Sequence, residues 1–163
     1  MMPLLQLFWN ICLMRESPER VPAQNALVAM TLVAKLLLVL GVTRFLEVDK
    51  SVLQLTAEVI VAAATTTVLV ALFLEIRSLS NRLAPTVSAL FGSDLILTCL
   101  FVVALIPLNN FSINTNLLGQ LFSLWSAVIA GFIMHKAMDI NFFIGFGVGV
   151  FILLISLSVA AHI

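Results

Sequence analysis

TVSALFGSDLILTCLFVVALIP, residues 86–107, carries one charge, Asp94, in an otherwise uncharged and mostly apolar run. At about 1.5 Å of rise per residue, a helix of this length crosses the roughly 30 Å hydrocarbon core of a bilayer. Four more runs of the same character flank it, at residues 25–46, 54–76, 117–135 and 140–161. Together they take up most of the 163 residues, of which 62% are hydrophobic and only 10% charged, with a mean hydropathy of +1.19. So little charge cannot cover the surface of a water-soluble domain. The expected fold is all-α, a polytopic membrane protein built as a bundle of five transmembrane helices within residues 25–163. A short N-terminal interfacial helix and a proline-containing linker, residues 1–24, are expected to precede it.

Eight basic and eight acidic residues give a formal net charge of zero. No basic patch points to nucleic acid, and the expected surroundings are the lipid bilayer and a membrane-protein partner or a second copy of the chain. Cys12 and Cys99 lack the spacing of a disulfide framework or a metal site and read as free thiols. No cofactor is expected. Residues 4–14 have no basic stretch before them, and residues 15–20 offer no small-residue cleavage site, so the first full span is expected to target the chain.

Residues 1–14 are too short to span. As a helix they place Gln6 and Asn10 on a narrow polar face opposite Leu4, Leu7, Phe8 and Ile11, with Trp9 suited to the headgroup level. The prolines and mixed charges of residues 15–22 read as an ordered turn. Orientation follows the basic residues of the short loops. With the N-terminus in the cytoplasm, Arg15, Arg20, Arg77, Arg82 and Lys136 lie inside, and Arg44 and Lys50 outside. That balance predicts a cytoplasmic N-terminus and an outside C-terminus. The asparagine-rich, uncharged loop 108–116 suits a translocated segment, and its Asn110-Phe111-Ser112 matches the glycosylation sequon.

Three ionisable residues fall inside spans: Lys35, Glu58 and Asp94. A charge at mid-bilayer costs about 3 kcal/mol on insertion scales, so each is a functional candidate. Lys35 lies ten residues and Asp94 eight residues past the inner start of its span, so the two meet at one level as a charged pair. Glu58, near the outer end of its own span, forms a second polar site that can reach toward Arg44 or Lys50. The plain reading of the pair is a lock on helix register. The sharper one is a proton or substrate relay, which a single pair supports less well than a chain of titratable groups does.

Small residues mark the last two spans: Ser123, Ala127 and Gly131 in one, Gly145 and Gly149 in the other. In lipid such positions let backbones approach closely, so Ala127, Gly131, Gly145 and Gly149 are expected either to pack these helices together or to offer a face to a partner. Gly145-Phe146-Gly147-Val148-Gly149 lacks the preceding strand and downstream acid of a dinucleotide loop, which leaves helix packing. Gly92-Ser93-Asp94 lacks the second carboxylate of an aspartyl protease. His135 and Asp139 have a metal-ligand spacing but no third ligand. The threonines of residues 62–67 are expected to bond back to helix carbonyls. No catalytic constellation emerges, and the chain reads as non-enzymatic.

Five close-set spans follow a cytosolic N-terminus; Leu105-Ile106-Pro107 ends the third span, and Leu121-Phe122-Ser123-Leu124-Trp125-Ser126 opens the fourth. A very short turn then leads into a glycine-containing last span. In this order of parts, over about residues 25–160, the chain resembles the Yip family of membrane proteins, named for interacting with Ypt/Rab GTPases. It departs from eukaryotic members, which carry a long cytosolic N-terminal region, and in this it is more similar to the compact bacterial relatives. The resemblance implies a non-enzymatic protein of a bacterial inner membrane that scaffolds or organises partners in the bilayer. The alternative is a small transporter or proton-coupled channel subunit using Lys35, Asp94 and Glu58. Five spans without an interior proline fit a repeat-built transporter less readily. An integral-membrane enzyme ranks third.

Overall fold

Pro85 stands only two residues after the start of the longest helix, where a backbone N–H has no helical partner to lose. That helix therefore begins at Leu83, earlier than the apolar run alone suggests, and continues to Leu108. The computed structural model describes residues 4–22, 24–45, 51–108, 115–160 and 162. Its helices are α1 (Leu4–Cys12), α2 (Asn25–Phe45), α3 (Val52–Ile76), α4 (Leu83–Leu108), α5 (Thr115–Met138) and α6 (Phe142–Ala160). Short 3-10 turns at Pro18–Arg20 and Ser80–Arg82 lead into α2 and α4. No strand occurs among the described residues. Helices α2 to α6 are each long and apolar enough to cross a membrane. The chain is an all-helical bundle with five such helices. Lys50 and the sequon at Asn110 lie outside the described residues.

The helix ends have local causes. Ser51 caps α3, its hydroxyl accepting from the Gln54 N–H at 3.1 Å. At the other end of α3, Ser78 turns left-handed (φ 57°), and the Leu79 N–H returns to the Leu74 carbonyl at 2.8 Å. Asp139 does the same after α5 (φ 50°), with the Ile140 N–H on the His135 carbonyl at 3.3 Å. That tight reversal makes α5 and α6 an antiparallel hairpin.

Around the bundle the neighbours run α2, α4, α5, α6, α3 and back to α2, with α3 also touching α4. At the end where α3 finishes and α4 begins, Val70, Leu74, Val87, Phe91, Met134 and Met138 fill the interior. A second core forms around α1. The sequence expectation laid the apolar face of α1 on the membrane surface. Instead Leu7, Phe8, Ile11 and Cys12 are buried in a cluster with Ala89 and Ile96 of α4 and Ile133 of α5. Gly92 explains the difference. A β-carbon there would stand 2.4 Å from the Phe8 ring, so only glycine leaves the notch that the ring fills. Beside it, the Cys12 thiol donates to the Ser93 carbonyl at 3.6 Å. Burial, aided by the Asp94 carboxylate, pushes the Cys12 thiol up to about 12, so it stays protonated. Leu4 and Trp9 remain exposed.

Candidate functional site

Lys35 lies near the middle of α2 and Asp94 near the middle of α4, and these adjacent helices cross in the same direction. Equal rise brings the two residues to one level, and Lys35 Nζ forms an ion pair with Asp94 Oδ2. Pairing offsets part of the penalty that either charge alone meets in a low-dielectric interior. The pair is not sealed away. Its side chains remain 26% and 33% exposed despite their mid-span position.

Both charges border a cavity of about 490 Å³ to which all five spanning helices contribute. The walls are mostly apolar, with Phe101 and Phe122 meeting edge to face at 5.4 Å between ring centres. Polar groups are few and set apart. Thr66 of α3 and Ser156 of α6 share a hydroxyl contact of 2.9 Å, and Ser123 and Ser126 of α5 also line the space. The Ser93 hydroxyl donates to the Ala89 carbonyl at 2.7 Å, and the Thr98 hydroxyl to the Asp94 carbonyl at 2.8 Å, so these two are turned onto their own helix. A largely apolar chamber with a small number of placed polar groups is the usual character of a small-molecule site.

The cavity has a direction. Its lining reaches Phe101 on α4, Gly119 on α5 and Leu157 on α6, toward the end where α5 begins. Toward the opposite end, the packed side chains of Val70, Leu74, Val87 and Met138 close the bundle. That closed end is tied together by charge. Arg82 meets Glu19 of the N-terminal segment and Asp139 of the α5–α6 turn, each at 2.8 Å, and also donates to the Ala137 carbonyl at 3.1 Å.

The residues singled out in the sequence separate into three groups. Lys35 and Asp94 come together in the cavity wall. Glu58, half-buried on α3, stands outside that wall. Three of the four small residues make the α5–α6 contact. A β-carbon at Gly131 would lie 2.6 Å from Phe146 Cα, one at Gly145 2.7 Å from His135 Cα, and one at Gly149 2.5 Å from Gly131 N. Ala127, the fourth, lines the cavity with Ser123. His135 and Asp139 are engaged apart, His135 Nδ1 with the Ile140 carbonyl and Asp139 with Arg82. Of the threonines, Thr67 bonds back to the Ala63 carbonyl at 2.8 Å, but Thr66 reaches across to α6. Cys12 and Cys99 are free thiols.

Sequence reasoning missed the chamber itself, the Thr66–Ser156 contact and the Arg82 clasp. The available signal was the recurrence of hydroxyl-bearing residues in α3, α5 and α6. No protein-family model matches the chain, no curated protein matches it, and no solved structure matches its fold.

Proposed function

We propose that this protein is a small membrane carrier that takes a solute into its central cavity, in a bacterial inner membrane, with the N-terminus cytoplasmic and the C-terminus outside. One observation carries the reading: a chamber of about 490 Å³ at mid-span whose wall includes a charged pair still open to it. A pair serving only to fix helix register gains nothing from such space beside it, since water or solute there weakens its attraction. In this orientation the cavity faces outward and the packed end faces the cytoplasm. The scaffolding role implied by the Yip-like order of spans is the second reading. Its support came partly from the small-residue faces, and Gly131, Gly145 and Gly149 are taken up by the α5–α6 contact.

Proteoliposomes supplied with an isotopically labelled extract of small metabolites test the carrier. The expected result is accumulation of at least one compound by the wild-type protein and much less by Ala127→Phe, whose side chain projects into the chamber from its wall. A detergent melting temperature near that of the wild type establishes that the variant is folded. No accumulation by the wild-type protein beyond that of protein-free liposomes would exclude a carrier.

A further inference from the structure

The carrier reading leaves its solute open, and the wall chemistry narrows it. Lys35 and Asp94 have opposite charges and sum to zero. A ligand with one net charge must leave a net charge in a chamber walled mainly by apolar side chains, which is strongly disfavoured. A ligand carrying both signs keeps the chamber neutral and gives every charge a partner. The pair has capacity for this: their mutual contact engages one nitrogen and one oxygen, whereas an ammonium has three donors and a carboxylate two acceptor oxygens. The remaining wall, with Phe101 and Phe122 beside Leu97 and Leu153, suits an apolar substituent. Volume sets the scale. At roughly 30 Å³ for each water displaced, about 490 Å³ accommodates a compact solute.

We infer that the cavity selects small zwitterions bearing an apolar side chain, with Asp94 holding the ammonium group and Lys35 the carboxylate. The direct pair opens on binding and is replaced by two ligand-mediated pairs, so the site is neutral when empty and when filled. This inference rests on the carrier reading.

Binding to the full-length protein in nanodiscs is measured by fluorescence of Trp125, whose ring lies 6.0 Å from Phe122 of the cavity wall. The probes are L-leucine and L-phenylalanine, leucinamide (cationic only), N-acetyl-leucine (anionic only) and dihexanoyl phosphatidylethanolamine. Leucine is expected to bind about tenfold or more tightly than either singly charged derivative, because each derivative leaves one buried charge without its partner. The charge variants sharpen the assignment. In Lys35→Met the preference for leucine over leucinamide disappears, and in Asp94→Asn the preference over N-acetyl-leucine disappears. The wild-type comparison needs neither variant to fold. Equal binding of all the leucine compounds, tighter binding of a singly charged one, or binding of the short-chain lipid alone would overturn the inference. If no probe binds while the labelled extract yields another solute, the zwitterion is wrong and the carrier stands. If the extract also yields none, both fall.

Discussion

Lys35 and Asp94 are each too costly to leave alone at mid-span, and their dependence on one another is open to a double-variant test. Lys35→Met leaves the Asp94 carboxylate without its cation, and Asp94→Leu leaves the ammonium without its anion. Each single change is expected to cost about 3 kcal/mol, the order of an uncompensated charge at that depth. The double variant removes both charges and should regain much of the loss, read as detergent melting temperature and membrane abundance. Additive damage would show that the two do not rely on each other. Solute uptake separates structure from function, since a double variant with recovered stability but no uptake makes the pair part of the carrier site. This residue pair was legible in the sequence because depth counting needs only the rise of a helix. The Thr66–Ser156 contact and the seating of Phe8 on Gly92 were not. Both depend on how a helix is rotated about its axis, and a span that is apolar all round carries no stripe from which rotation can be read.

Helix packing in lipid is decided by which small residues face a neighbour, and α6 contains an internal comparison. Gly149 has the α5 backbone at 2.5 Å from where a β-carbon would sit, whereas Gly147, two residues earlier, has nothing within 4 Å. Gly149→Ala should therefore destabilise by about 2 kcal/mol, in the range of overpacked cores. Gly147→Ala should be neutral or stabilise by up to about 1 kcal/mol through helix propensity. Thermal unfolding in detergent measures both, and a matching response from the two would show that α5 and α6 do not meet at Gly149. The number and order of elements were readable because five long apolar runs are separated by polar breaks. The partner of α1 was not. An amphipathic pattern shows that a face must be covered without showing whether lipid or protein covers it, and here the cover is α4. The stripe of Ser123, Ala127 and Gly131 also divides, with Gly131 against α6 and the other two in the cavity wall. Spacing alone could not distinguish a close contact from an open lining.

At the scale of the whole molecule, the two ends of the bundle differ in packing among the described residues. The Glu19–Arg82–Asp139 cluster gathers the N-terminal segment, the start of α4 and the α5–α6 turn at one end. Arg77 joins them by donating to the Met138 carbonyl at 3.4 Å. The core seals that end, and the cavity extends toward the other. In the proposed orientation, which rests on the retention of basic short-loop residues on the cytoplasmic side, the sealed end with Arg77 and Arg82 is inside and the cavity faces out. The same proposal, with five spans, puts the C-terminus outside. Alkaline phosphatase fused after Ile163 should be active and a fluorescent protein at the same point dark, while insertions after Ser80 should give the reverse. Fluorescence at Ile163 with phosphatase activity at Ser80 would invert the molecule. The chamber would then open to the cytoplasm, and solute would have to load from inside rather than from outside.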